Sequence, residues 1–293
     1  MVASRIGIIG GSGLYAMESL AYAAPRQITT PFGDPSDAVH VGKISGVEVA
    51  FLSRHGAGHR LSPSEVPYRA NIWALKSLGV THLVSISAVG SLQAGIPPRS
   101  FCIPDNIIDR TVSRSRTFFE NGVVAHVSLA DPFCGTFSRA VAAAAEHSEL
   151  PVRRGGTYVC IEGPQFSTRA ESLLYRSWGA SVIGMTAMPE ARLAREAEVC
   201  YACLAMVTDY DVWHDAEERV SVELVIQNLM AMTAASATMV RELAAAELDE
   251  CEDGCRHALA NAIISSPSAA APEARKRLAL IAGRYFDSTD NPT

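Results

Sequence analysis

The stretch GTYVCIEGPQFSTRAESLLYRSWGASVIGMTAMPEARLAREAEVCYACLAMVTDYDVW, residues 156–213, decides the fold, because two short apolar runs within it each hand a polar cluster to a loop. Thr157 to Ile161 is rich in β-branched and aromatic residues, and Glu162-Gly163-Pro164 stops it, the composition of a strand meeting a turn. Cys200 to Val207 is a continuous apolar run of buried-strand length, followed directly by Thr208-Asp209-Tyr210-Asp211. Between the runs, Arg169 to Ser177 and Glu190 to Val199 have helical character. Ligands of α/β sheets sit at the carboxyl ends of the strands. The two polar clusters are therefore candidates for one site.

The pattern extends in both directions. Arg5 to Ile9 is a β-type run ending in Gly10-Gly11-Ser12-Gly13, a turn whose exposed N–H groups suit an anion. Val39 to Lys43 and Val47 to Leu52 predict a hairpin around Ser45-Gly46. It delivers Arg54 and His55 to a loop, where they form either an oxyanion clamp or an ordinary solvated surface. Asn71 to Leu78 predicts a helix, and Thr81 to Ser87 a buried strand closed by the small residues Ala88-Val89-Gly90-Ser91. Ile107 to Thr111 enters a charged loop ending at Phe118-Phe119, and Ser138 to His147 is an Ala-rich helix. Val222 to Ala245 predicts one long amphipathic helix, Ser265 to Pro272 a linker, and Glu273 to Phe286 a last helix. The expected fold is α/β: a single domain over residues 1–245 with a central mixed, mainly parallel β-sheet flanked by helices. Residues 246–293 are expected to form a C-terminal extension, not a separate domain.

Composition narrows the function classes. Twenty-five basic against 31 acidic residues give a net charge of −6, and no Lys/Arg run is present. A nucleic-acid or anionic-membrane partner is therefore not expected. No apolar segment approaches the roughly 20 residues of a membrane span, which places the chain in the cytoplasm. Seven cysteines in 293 residues are not a disulfide scaffold. Cys200-Tyr-Ala-Cys203 has the spacing of a redox or zinc pair, but it lies inside a β-type run with no second pair, so neither role is assigned. Cys251 and Cys255 could pair or stay as free thiols. Gly11-Ser-Gly13-Leu-Tyr-Ala16 matches the permissive GxGxx(G/A) dinucleotide fingerprint. The acids about 20 residues on sit in turn chemistry rather than after a strand, which argues against a dinucleotide site.

The segments IGIIGGSGLY, TPFGDPSD, SRHGAGH, YRANIWALKSLG, AVGSL, IEGPQFSTRAES, GMTAMPEARLARE and TDYDVW, in that order between Arg5 and Leu243, resemble the methylthioadenosine phosphorylases of the trimeric purine nucleoside phosphorylase class. The resemblance implies phosphorolysis of 5′-deoxy-5′-methylthioadenosine to adenine and 5-methylthioribose 1-phosphate, with phosphate as co-substrate and no metal or organic cofactor. It implies phosphate contacts from Ser12, Arg54, His55, Ser87, the Ala88 N–H and Thr186. It implies that Phe166 stacks on the base, that Met185 packs against the ribose, and that Ser167 and Asp209 meet the purine edge with Asp211 behind. Val222 and Val225 match the lining of an apolar 5′ slot, although helical spacing alone fits a plain core face equally well. His126 matches a residue that reaches the 5′ end from a neighbouring subunit, so a homotrimer or a hexamer is expected.

The chemistry needs these residue types. Breaking an N-glycosidic bond creates a cationic sugar between a phosphate anion and a departing purine, so anion donors must face a proton donor across the sugar. A carboxylate at position 209 accepts from a 6-amino group, whereas an amide there would also donate to a 6-oxo group. The rival expectations are a phosphorylase for 6-oxopurine nucleosides or methylthioinosine, and a nucleoside- or dinucleotide-binding protein without this chemistry.

Overall fold

The computed structural model describes residues 5–11, 24–214, 221–266 and 270–286. Among these residues the strands, in chain order, are β1 (Ile6–Gly10), β2 (Ala24–Arg26), β3 (Val39–Ile44), β4 (Val47–Ser53), β5 (His82–Ser91), β6 (Ser100–Ile103), β7 (Asn106–Arg110), β8 (Val152–Arg154), β9 (Thr157–Ile161), β10 (Val182–Gly184) and β11 (Cys200–Asp209). The helices are α1 (Tyr68–Ser77), α2 (Gly135–Glu146), α3 (Arg169–Ser177), α4 (Ala187–Glu196), α5 (Val222–Ala231), α6 (Thr233–Ala245) and α7 (Pro272–Phe286). All eleven strands join one mixed sheet, in which β1–β4, β1–β5, β5–β11, β6–β8, β7–β9 and β9–β10 pair in parallel.

Strand β5 is the hub. Its first half pairs with β1 on one side and β11 on the other, and its last residues Gly90 and Ser91 pair antiparallel with β10. Every residue of β1 and β11 is buried, which is what a continuous apolar run in a doubly covered sheet requires. One apolar cluster lies on each face: α1 and α4 pack with Tyr201 and Cys203 on one, and α2 and α6 pack with Ala202 and Leu204 on the other. Leu259, Leu278, Ile281 and Phe286 from beyond residue 245 enter the first of these clusters.

Most expected elements fall in place, and two need correction. The small residues Ala88 to Ser91 do not close β5; they are strand, because β11 continues alongside and β10 pairs with their far end. The single helix expected from Val222 to Ala245 breaks at Met232, a fully buried residue between α5 and α6. The hydroxyls of Thr233 and Ser236 donate to the carbonyls of Leu229 and Met232, four residues back. Such back-bonding bends helices, and here it frees α5 to face the sheet end while α6 packs on α2.

Candidate active site

Register sets the dimensions of the site. Along the β5–β11 pair, Ser87 stands opposite Ala205 and Gly90 opposite Asp209. Three residues separate the two pairs, about 10 Å of strand. Both ends open into one cavity of about 280 Å³, which also receives the loops after β1, β4, β9 and β10 and one face of α5. Arg54, His55, Ser87, Ala88, Phe166, Ser167, Met185, Thr186, Asp209, Asp211 and Val225 all line it, so eleven of the fourteen residues expected from sequence meet in one place.

The deep end gathers groups that suit an anion. Arg54, at the end of β4, is buried, and its Nε and Nη2 donate to the two carboxylate oxygens of Glu190 at 2.5 and 3.2 Å. Nη2 also reaches Ser85 Oγ at 2.7 Å and the Ile9 carbonyl, while Nη1 donates to the Ile86 carbonyl at 3.2 Å. One Nη1 N–H has no acceptor among the described residues. Burial opposes the guanidinium charge, but Glu190 outweighs it and pushes the Arg54 pKa up. The surface alternative for this loop is thereby overturned.

Thr186 precedes α4 without capping it, and its buried hydroxyl has no partner among the described residues. Met188, extended at φ −114° and ψ 135°, separates Thr186 from the regular turns of α4, so it is the spare buried hydroxyl and not a helix end that suits an anion. His55 behaves differently from a simple donor. Its Nδ1 lies 2.9 Å from the Leu61 carbonyl, so Nδ1 carries the proton and Nε2 is left to accept. Burial and the charge of Arg54 lower its pKa to about 4, which keeps the ring neutral near pH 7. It therefore suits a protonated phosphate oxygen.

At the other end, Asp209 closes β11 beside a register shift between Val207 and Asp209. Asp211 follows in a left-handed conformation at φ 51°. The Asp211 N–H donates to Asp209 Oδ1 at 2.8 Å, and the Thr208 hydroxyl donates to Oδ2 at 2.7 Å. Burial raises the pKa of Asp209. Burial, with the Asp209 charge adding to it, lifts Asp211 from 3.8 to about 6. Gly90 makes room for this pair, since a Cβ there would sit 2.9 Å from Asp209 Oδ1. Ser167 adds a second buried hydroxyl without a partner among the described residues, and Phe166 stands half-exposed at the rim as a flat apolar face.

The apolar wall comes from α5. Val225 and Leu229, four residues apart, line the cavity, but Val222 does not: its side chain is 58% exposed, one turn too far along the helix. Leu229 therefore takes the place expected for Val222. His126 is exposed and away from the cavity, its backbone N–H bound to the Ala262 carbonyl. Ser12 lies outside the described residues.

Several residues that hold the site carried no readable signal. Arg114, in the loop expected to be merely charged, is buried and donates to the carbonyls of Glu162, Met185 and Met188, each at 2.6 Å, tying together the β9 and β10 loops. Asn228 on α5 donates to the Thr208 carbonyl at 2.6 Å and accepts from Arg99. The one available hint was polarity inside an otherwise apolar stretch, as for Asn228 in VELVIQNLMA.

Known proteins resemble this chain over nearly its whole length. A phosphorylase superfamily pattern matches residues 5–245. S-methyl-5′-thioadenosine phosphorylase of Chloroflexus aurantiacus is 54% identical over 288 residues, covering 98% of this chain and 100% of that protein. The enzyme of the same name from Cereibacter sphaeroides is 52% identical, with 97% and 99% covered. A methylthioadenosine phosphorylase from an antarctic soil metagenomic library superposes with a TM-score of 0.90 at 49% identity, over 96% of this chain and 99% of that one. The methylthioadenosine phosphorylase of Schistosoma mansoni in complex with adenine gives 0.79 at 37%, over 83% and 91%.

Proposed function

Since this chain belongs to the phosphorylase superfamily, we propose that it catalyses phosphorolysis of 5′-deoxy-5′-methylthioadenosine, giving adenine and 5-methylthioribose 1-phosphate. It is a pentosyltransferase. The observation that carries this reading is the arrangement of one cavity with an anion pocket at Ser87 and Thr186 and a buried carboxylate at Asp209, one nucleoside length away along paired strands.

Phosphate held by Ser87, the Ala88 N–H, Thr186 and the remaining Arg54 N–H faces C1′ from below. As the bond to the purine lengthens, the sugar takes up positive charge and the base negative charge. Asp209, whose burial favours the protonated acid, shares its proton with N7 and accepts from the 6-amino group. Phe166 stacks on the purine, Ser167 meets its edge, and Met185 packs against the ribose. Val225 and Leu229 present apolar side chains to the slot, so an apolar methylthio group suits it better than a 5′-hydroxyl. Ser12 belongs to the phosphate set by its motif. Phosphate is a co-substrate, and the reaction needs no metal or organic cofactor.

The same reading assigns a homotrimer or a hexamer in the cytoplasm, acting in purine and methionine salvage, with His126 completing a neighbour's 5′ slot. The exposed Val222, Ile226 and Met230 on α5 supply an apolar face beside the cavity that a subunit contact would cover. Light scattering of the purified chain checks this, and a monodisperse monomer would remove it. Among the described residues no helix is long and apolar enough to cross a membrane.

The decisive test is adenine release from methylthioadenosine and adenosine, and base release from inosine, each with and without phosphate. Phosphate-dependent cleavage that favours methylthioadenosine is the expected result. Preferential cleavage of inosine would overturn the role of Asp209, and cleavage independent of phosphate would overturn the anion pocket.

A further inference from the structure

Outside the cavity the molecule brings four cysteines together. The sulfurs of Cys134, Cys200, Cys251 and Cys255 all lie within 4.8 Å of one another, and Cys134 and Cys251 are 3.7 Å apart. They come from three places in the chain. Cys134 is the N-cap of α2, Cys200 opens β11, and Cys251 and Cys255 stand in the segment after α6. Gly254, in the left-handed conformation at φ 65°, turns that segment so that both of its thiols face the other two. Cys134, Cys200 and Cys255 are buried and Cys251 is partly exposed.

We propose that these four cysteines form a structural metal site that takes one thiophilic divalent ion of the zinc type, clipping the C-terminal extension to α2 and β11. A tetrahedral thiolate site with metal–sulfur bonds of about 2.3 Å has sulfurs about 3.8 Å apart. Four mutually adjacent sulfurs match that geometry after a small contraction. Two disulfides would instead need the sulfurs in two separate bonded pairs, each about 2.05 Å long. A multi-iron cluster would hold them farther apart than they stand.

The surroundings suit thiolates. The Phe137 N–H at the start of α2 donates to Cys134 Sγ at 3.4 Å, and the Arg195 guanidinium donates to Cys255 Sγ at 3.3 Å. Asp253 Oδ2 accepts from the Cys134 thiol at 3.3 Å; when metal displaces that proton to water, the carboxylate is still held by the Thr136 N–H and hydroxyl, both at 2.8 Å. Cys251 opens onto a surface concavity lined by Asp249, Glu250, Glu252 and Arg139, whose three acids give a cation a way in. Four protein ligands leave no open position, and none of the four lines the active-site cavity, so the ion holds structure rather than doing chemistry.

The test uses the full chain. Purified without chelator from cells grown with zinc, it should carry about one zinc per chain by elemental analysis. Reconstitution with Co²⁺ should saturate at one equivalent with strong thiolate-to-cobalt charge-transfer absorption. Cys251→Ser, the substitution at the most exposed ligand, should lose most of the bound metal and lower the thermal midpoint while adenine release at 25 °C stays unchanged. If that variant does not fold, the parent decides alone. Protein isolated without metal that titrates all seven thiols on unfolding and shows no cobalt charge transfer would overturn the site, and so would an intact mass short by two or four hydrogens.

Discussion

The two ends of the cavity place charge in opposite ways. At the deep end the Arg54 guanidinium is neutralised by Glu190, and nearly all its donors are committed before any ligand arrives. At the far end Asp209 and Asp211 put two carboxyls side by side, close enough for one to raise the pKa of the other. The first arrangement is a frame that stabilises the fold. The second holds two carboxyls where burial favours their protonated forms, and it is this end that the proposed function gives to the base.

The largest effect should follow from unbalancing the frame. Glu190→Gln leaves the Arg54 charge buried without a counter-ion and should cost about 3–5 kcal/mol in urea unfolding; a loss below about 1 kcal/mol would mean that the pair is not what holds this end.

The end with the two carboxyls should respond in the other direction. A carboxyl whose folded pKa is raised stabilises below its unfolded value of 3.8, and that contribution is lost as pH rises through about 6. Asp211→Asn should therefore be more stable than the parent by about 2–3 kcal/mol at pH 7, with the gap closing by pH 4. A gap that does not vary with pH would mean that burial does not raise the Asp211 pKa in the folded protein.

Third, Asp209→Asn should fold normally yet lose more than about tenfold in kcat/KM for methylthioadenosine, roughly 1.4 kcal/mol, while gaining relative activity on 6-oxopurine nucleosides. Unchanged kinetics would reassign Asp209 to the frame. The smallest effect should come from the wall between the two ends. Val225→Thr should narrow the preference for methylthioadenosine over adenosine by about three- to fivefold, near 0.8 kcal/mol, read from the ratio of kcat/KM values.

How much of this was readable in advance follows the same division. Apolar runs such as Cys200 to Val207 announced the sheet, because period and composition are local properties. The cavity residues were legible where they end strands or sit in dense motifs, as Asp209 in TDYD. Glu190 and Arg114 were not, since their partners lie 136 and more than 45 residues away along the chain. The four cysteines escaped for the same reason. Cys200 looked like half of a CxxC, but its neighbours in space come from two other segments and Cys203 is not among them. The break at Met232 was hidden because apolar spacing continues across it; only hydroxyl back-bonding marks it.

The hydrogen bond from Asn228 to the Thr208 carbonyl has a mechanical consequence. It couples the helix that bounds the 5′ slot to the residue beside Asp209, so the two behave as one lever. On the proposed function, a 5′ substituent too large for the slot is expected to push α5 outward, strain the end of β11 through this bond and so disturb proton delivery to the base. A bulky 5′-arylthio substrate should then lose in kcat as well as in KM, and Asn228→Ala should uncouple the two; a penalty confined to KM in the parent would mean that the helix gives way without carrying the strand along.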